Sequence, residues 1–227
     1  MLSSVFHWVG YGLCHQLPER SLFAGGFQLP VCARDTGIYA GFVLSLIVIS
    51  LVERRRRPSE LSRPWLVVVG VLIFGTMVVD GVSSYAGWRE TSNDLRLITG
   101  LLAGYAMTLA VVPMVNGQLW TSVSRTRLLE GWRSAAWLLS IPVSFVVLRW
   151  ALPAMGVIYP VLLTLAIVAT YAAVNLIFVT FVPVLEHKAT SLLRAPLQIA
   201  LALALVAVEL FLASGLRIAV ERFAAGF

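Results

Sequence analysis

Uncharged apolar runs of about 20 residues recur along this chain and constrain its fold more than any other feature. A helix of that length crosses the roughly 30 Å hydrocarbon core of a bilayer. Charged residues make up only 12% of the 227 positions, whereas soluble domains usually carry about twice that fraction. This composition argues against a soluble enzyme, a disordered chain and a disulfide-dense secreted scaffold. The sequence therefore predicts an all-α, polytopic transmembrane helical bundle.

Six apolar runs predict six membrane spans. Their bounds are expected at about residues 36–52, 64–84, 92–115, 134–152, 158–182 and 196–220. Pro113 is expected to kink or end the third span, because proline removes a backbone hydrogen bond from a helix. Short connections predict antiparallel neighbours within a single domain, residues 1–227. In this domain residues 36–220 form the bundle, and residues 1–35 form an N-terminal motif segment.

Residues 1–13 are apolar and uncharged, yet a helix of this length reaches only about 20 Å. They lack the basic start and small-residue cleavage site of a signal peptide, so we expect them to remain on the mature protein. The prediction is a short interfacial or half-membrane helix, with Trp8 and Tyr11 at headgroup level. Gly25, Gly26 and Pro30 then predict a turn-rich connection.

The basic block Arg54–Arg57 predicts the orientation of the bundle. It directly follows the first span, and the positive-inside rule places such a block in the cytoplasm. The predicted location is therefore the cell (inner or plasma) membrane, with several passes and with the N-terminal motif on the outer face. The block has no interleaved aromatic residues, so we expect no nucleic-acid partner. Membrane lipids with anionic headgroups are its expected partners.

The only two cysteines of the sequence, Cys14 and Cys32, lie in the N-terminal segment, and three interpretations of them remain open. In an oxidising compartment they form a disulfide that closes a loop of about 18 residues and contributes roughly 3 kcal/mol. Alternatively, Cys14, His15, Cys32 and Asp35 form a metal site, because thiolate, imidazole and carboxylate together suit zinc. Cys14 and His15 are adjacent, so both can bind one ion only where a helix ends. The third interpretation is two separate buried thiols.

A second polar group lies around the start of the third span. It comprises Asp80, Arg89, Asn93 and Arg96. One interpretation is structural: Asp80 pairs with Arg96 or with Arg89 and fixes the register of the helices. The other is an anion site, in which the two arginines, Asn93 and the helix N-terminus bind a phosphate or a carboxylate.

The third span carries signals for its start and for close helix packing. Thr91 is the expected N-cap, with Asp94 three residues later as in a capping box. Gly100 and Gly104 form a G-x-x-x-G pattern, which lets another helix approach closely. Arg96 is expected to face the same seam.

Two motifs in this chain resemble a family of prokaryotic membrane proteins. The first motif is CHQLPERS at 14–21 with LPVCARDTGIY at 29–39, and the second runs from Asp80-Gly81 through Arg89, Asn93, Arg96, Thr99 and Gly100. The pattern is similar to that of the family described as domain of unknown function 2085 and covers about residues 1–110. Members often carry a cysteine at the position of Asp35, which makes the first motif look metal-binding in the family. The resemblance implies that these residues belong to one site, and it implies no particular activity.

The first function that remains open is an enzyme with a metal-assisted site at the outer membrane face. Zinc would activate water there, and the substrate would be a lipid or isoprenoid headgroup. The candidate catalytic residues are Asp80 and His15. The candidate substrate-binding residues are Arg89, Asn93 and Arg96.

Two other classes of function remain open. One is a non-catalytic accessory or assembly subunit of a larger membrane complex, in which a Cys14–Cys32 disulfide stabilises a rigid cap and the spans pack against partner subunits. The other is a small transporter or lipid carrier, whose route Glu209 and Asn175 would line within the membrane. For these two side chains the expected role is a hydrogen bond to a neighbouring helix.

Overall fold

The computed structural model describes residues 2–54 and 56–225, which contain seven α-helices. These are α1 (Leu2–Tyr11), α2 (Ala33–Glu53), α3 (Pro64–Tyr85), α4 (Asn93–Leu119), α5 (Trp132–Val146), α6 (Ile158–Thr180) and α7 (Pro196–Ala225). Helices α2 to α7 are long and apolar enough to cross a membrane. The span that contains α5 includes the helical turns that continue this helix to Met155. The predicted all-α bundle of six spans with a short N-terminal helix is therefore confirmed.

The observed ends of two spans differ from the expected ones, and the first difference affects the site. Helix α2 begins at Ala33, so Arg34 and Asp35 lie in its first turn instead of preceding it. Helix α4 continues through Pro113 to Leu119, so the proline does not end the span. Membrane helices tolerate proline because neighbouring groups can satisfy the freed carbonyl.

The connection between α1 and α2 is a β-hairpin, which the glycine and proline signals did not predict. Strand β1 (Ser21–Ala24) pairs antiparallel with β2 (Phe27–Cys32). The two-residue turn uses Gly25 and Gly26, whose φ angles of 58° and 79° are the left-handed values that such hairpin turns require. Strand β2 ends where α2 begins, so the hairpin fixes the position of the first turn of α2. A second small sheet, β3 (Pro58–Glu60) with β4 (Ser124–Arg127), lies at the other end of the bundle.

Helices α2 and α4 pack closely through glycines on both sides. A methyl group at Gly100 would collide with the backbone carbonyl of Arg34, and one at Gly104 would collide with the carbonyl of Ile38. Reciprocally, a methyl group at Gly37 would collide with the backbone of α4. The expected small-residue seam is therefore present, and it holds the first turn of α2 against the first turns of α4.

The spans alternate in direction, so one end of the bundle gathers the N-terminal segment and the polar ends of several helices. Asn93 at the start of α4 donates hydrogen bonds to the backbone carbonyls of Glu19 and Ser21 in the hairpin region. Near the end of α7, Arg217 donates to the carbonyl of Cys14 at 2.6 Å. We call this end, with α1 and the β1–β2 hairpin, the motif face.

Candidate metal and anion site

Cys14, Cys32 and Asp35 converge on the motif face. One ligand atom from each, two sulfurs and a carboxylate oxygen, all lie within 4.8 Å of one another. Cys14 follows α1 in a turn closed by backbone bonds to the carbonyl of Gly10. Cys32 ends β2 and precedes α2, whose first turn contains Asp35. We call these three side chains the metal group, because their ligand types and spacing suit a metal ion.

Hydrogen bonds distinguish the two sulfurs of the metal group. The sulfur of Cys14 accepts from the backbone N–H groups of Gln16 at 3.4 Å and Cys32 at 3.2 Å. The thiol of Cys32 lies 3.3 Å from Oδ2 of Asp35, to which it donates. A hydrogen bond between the two thiols lowers the pKa of Cys14 and raises the pKa of Cys32, and burial raises the latter further. Cys14 is therefore the thiol that loses its proton first.

Both cysteines are free thiols in the structure, so the alternative of a Cys14–Cys32 disulfide is not confirmed. They are not two separate thiols either, because their sulfur atoms lie within 4.8 Å of each other. The sequence interpretation that they belong to one polar group with Asp35 describes the observed arrangement.

His15, the fourth expected ligand, lies at the surface and outside the metal group. Gln16 explains its position, because this residue has a φ of 55° and turns the chain directly after His15. The amide of Gln16 donates to the carbonyls of His7 and Pro30, at 2.9 and 2.7 Å, which holds the turn against α1 and β2. Of these two adjacent residues, only Cys14 belongs to the metal group.

Asp80, near the end of α3, is the centre of a buried cluster of donors. Its side chain is 1% exposed and accepts from Arg34 at 2.6 Å and from Arg89 at 2.5 Å. The hydroxyls of Thr91 and Thr99 also donate to it, at 2.8 and 3.4 Å. A carboxylate enclosed by four donors is suited to holding Arg34 and Arg89 in place.

This cluster differs in two details from the sequence expectation. The expected Asp80–Arg89 pair is present, whereas the second partner is Arg34 and not Arg96, because α2 starts early enough to carry Arg34 against α3. Thr91 was expected to cap α4, but its hydroxyl donates to Asp80. The N-cap is Ser92, whose side chain accepts from the backbone N–H of Leu95 at 3.2 Å.

Asn93 and Arg96 lie together at the start of α4. Arg96 donates to the side-chain oxygen of Asn93 at 3.1 Å, while the amide nitrogen of Asn93 donates to the hairpin region. Asn93 therefore orients Arg96 and ties α4 to the N-terminal segment.

A cavity of about 370 Å³ joins the metal group to the arginines. The metal group lines it together with Arg20, Arg34 and Arg96, and His15 also lies at its edge among the lining residues. Its size falls in the usual range for small-molecule sites. The sequence analysis assigned no role to Arg20 or Arg34, and for Arg34 the missing signal was the early start of α2.

The remaining polar residues of interest lie away from this cavity. Within the membrane, Asn175 of α6 donates to Glu209 of α7 at 2.8 Å, which is the neighbouring-helix contact expected for them. At the other end of the bundle Arg54, Arg56, Arg57 and two serines surround an open cavity. Arg55, the remaining member of the predicted basic block, lies outside the described residues.

Comparison with known proteins places the chain in the family described as "Predicted membrane protein (DUF2085)", to which it belongs and whose model matches residues 14–110. An uncharacterized protein of Methanothermobacter thermautotrophicus is 34% identical over 95 residues, which cover 42% of this chain and 80% of that protein. An uncharacterized protein of Methanocaldococcus jannaschii is 33% identical over 102 residues, which cover 45% of this chain and 63% of that protein. The chain thus spans less than two thirds of the latter relative. No solved structure matches.

The matched region coincides with the site. It contains the metal group, Asp80 with its partners and Arg96, whereas α5, α6 and α7 lie outside it. The resemblance read from the two sequence motifs is therefore confirmed at the level of the family, and the chain is a multi-pass membrane protein.

Proposed function

We propose that this membrane protein binds a zinc ion through the metal group and uses it to hydrolyse the headgroup linkage of an anionic lipid. The observation that carries the proposal is the convergence of two sulfurs and one carboxylate oxygen within 4.8 Å at the wall of a cavity of about 370 Å³. Catalytic zinc sites have three protein ligands and one open position, whereas structural sites have four. Three ligands beside a cavity match the catalytic pattern.

The donor set fits zinc in its chemistry. Two thiolates and a carboxylate are ligands that this borderline-soft ion accepts. The backbone N–H groups on the sulfur of Cys14 stabilise negative charge on that ligand, as outer contacts do in known metal sites. When bound, zinc supplies Lewis-acid polarisation of an ester or phosphoryl oxygen.

The chain's own residues then have separate tasks in the proposed reaction. Cys32 donates to Asp35 in the structure, and this proton must leave when both residues become ligands, so zinc binding releases protons. Asp80 holds Arg34 at the cavity wall, and Asn93 does the same for Arg96. The arginines bind the anionic part of the substrate.

We infer that the motif face points out of the cell and that the basic block after α2 lies in the cytoplasm. The support is the positive-inside rule applied to Arg54, Arg56 and Arg57, all at the opposite end of the bundle. An outward site would meet lipids of the outer leaflet.

Metal analysis of purified protein tests the proposal. We expect about one zinc ion per chain by elemental analysis and two reactive thiols after denaturation and chelation. Cys32→Ala and Asp35→Asn should lose the metal. His15→Ala is the matched control, because His15 is adjacent to a ligand but lies outside the metal group, and it should retain zinc.

A second measurement tests the chemistry. Zinc-loaded protein incubated with membrane lipids should release a water-soluble headgroup, detected by phosphorus-31 NMR, and Cys32→Ala should not. If the purified protein contains no metal and shows no reactive thiols after denaturation, Cys14 and Cys32 form a structural disulfide. This result would overturn the proposal. Bound zinc without any lipid turnover would overturn the enzymatic part and favour a non-catalytic subunit.

A further inference from the structure

We infer that the cavity beside the metal group takes a phosphate group, which Arg20, Arg34 and Arg96 bind. This inference rests on the proposed function and deepens it, because it names the chemical class of the substrate's anionic part. It also corrects the assignment of the anion-binding residues, since Arg89 is held by Asp80 and by the hydroxyl of Ser83 and does not line this cavity.

The charges of the cavity are unbalanced. Among the described residues neither Arg20 nor Arg96 forms an ion pair: Arg20 lies 5.7 Å from the ring centroid of Tyr85, and Arg96 donates to the neutral amide of Asn93. Asp80 neutralises only one of the two arginines that contact it, and of the residues that the structure describes, Asp35 is the one carboxylate that lines the cavity against three arginines. A partly desolvated cavity with this excess of positive charge is stabilised by a bound anion.

Arg34 supplies a second and independent observation. This residue is 9% exposed and lines the cavity, and its Nη2 donates to Asp80. Its Nε is buried without a hydrogen-bond partner within the described part of the chain. Buried donors are almost always satisfied in native proteins, so this guanidinium has hydrogen-bonding capacity that the described residues leave unused, and an anion in the adjacent cavity can take it up.

The chemistry of the donors favours phosphate. Guanidinium groups form forked, charge-assisted hydrogen bonds with phosphate and carboxylate oxygens. A phosphate monoester or free phosphate offers three or four oxygens around one centre, so three arginines can contact it from different directions more readily than they can share the two oxygens of a carboxylate. A lipid headgroup and free phosphate both carry the inferred group.

Equilibrium binding of radiolabelled inorganic phosphate to the full chain in nanodiscs of phosphatidylcholine tests the inference. Wild-type protein should bind phosphate saturably, and Arg96→Gln should weaken binding by about tenfold or more, since hydrogen bonds to charged groups are strong. Arg222→Gln is the matched control: it removes the same charge from α7 near the motif face but outside the cavity, and it should bind as wild type does. Arg20→Gln should also weaken binding.

A second arm identifies the source of the phosphate. Nanodiscs that contain phosphatidic acid should displace the labelled phosphate if the natural ligand is a lipid headgroup, whereas a site for free phosphate retains it. Either result supports a phosphate site. No saturable binding in either kind of nanodisc, or an equal loss in Arg96→Gln and Arg222→Gln, would overturn it.

Zinc content measured on the same samples separates this inference from the proposed function. Zinc binding without phosphate binding overturns the phosphate site alone. Phosphate binding to protein that takes up no zinc overturns the metal site alone. Arg96→Lys keeps the positive charge and is the control for misfolding of the Arg96→Gln variant. It should retain zinc and bind phosphate with an affinity between those of wild type and Arg96→Gln.

Discussion

Arg34 and Asp80 form a buried ion pair, with 2.6 Å between Nη2 and Oδ2, that joins the first turn of α2 to the last turns of α3. The next residue after Arg34 is Asp35, which belongs to the metal group. One turn of helix therefore contributes to both halves of the site. A substitution that moves this turn should therefore change the positions of both Asp35 in the metal group and Arg34 at the cavity.

Replacing Asp80 should strongly destabilise the protein. Asp80→Asn leaves Arg34 and Arg89 without their shared carboxylate, and an unpaired buried charge typically costs about 3–5 kcal/mol. Thermal unfolding in detergent measures the effect. Asp94→Asn is the control, because its pair with Arg149 is largely exposed and should contribute less than about 1 kcal/mol. Equal losses in both variants would contradict the structural role assigned to Asp80.

The spans were predictable because each depends on local composition. Runs of apolar residues long enough to cross a bilayer identify α2 to α7 without any knowledge of tertiary contacts. The Gly100 and Gly104 pattern likewise predicted a close helix contact, although not which helix makes it. The convergence of the motifs followed from topology, since antiparallel spans bring the segment before α2 and the α3–α4 connection to one end.

The details of the site were not predictable from the sequence for two physical reasons. The start of α2 depends on the hairpin, whose register fixes Cys32 at the helix N-terminus, and this placed Arg34 where Arg96 was expected. The sequence also could not show which of two roles a side chain takes. The hydroxyl of Thr91 can cap a helix or donate to a carboxylate, and the position of Asp80 decides between these roles.

The glycine seam should control both stability and metal binding. Gly100→Ala would bring a methyl group against the carbonyl of Arg34, and such overpacking usually costs about 1–3 kcal/mol. Because the strain falls on the turn that carries Asp35, zinc content should fall as well. Thermal unfolding and elemental analysis measure the two effects.

The matched control for the seam is Gly75→Ala in α3. No atom lies within 4 Å of a methyl group at that position, so the change should be neutral or slightly stabilising, as alanine favours helix over glycine. Normal zinc content in Gly100→Ala would show that the seam does not position the metal group.

The two thiols should differ in reactivity when no metal is bound. The pKa of Cys14 lies below the ordinary thiol value and that of Cys32 lies above it, chiefly because of the hydrogen bond between them. The thiolate is the reactive form, so iodoacetamide should label Cys14 first, and its rate should level off at a lower pH than that of a free cysteine. Cys32 should stay slow throughout.

Mass spectrometry of samples quenched at a series of pH values measures both rates. Cys32→Ala removes the hydrogen bond to Cys14 and should shift the midpoint of Cys14 labelling to higher pH. Zinc should protect both residues in the wild type. Equal rates for the two thiols at every pH would refute the asymmetry.

The proposed orientation can be tested in intact cells. In a Cys14→Ala, Cys32→Ala background, Glu90→Cys introduces a thiol in the exposed α3–α4 connection at the motif face, and Ser122→Cys introduces one at the opposite end. If the basic residues after α2 face the cytoplasm, a membrane-impermeant maleimide should label the first variant directly and the second only after permeabilisation. The reverse pattern would place the metal group and its arginines in the cytoplasm, where the substrate would come from the inner leaflet.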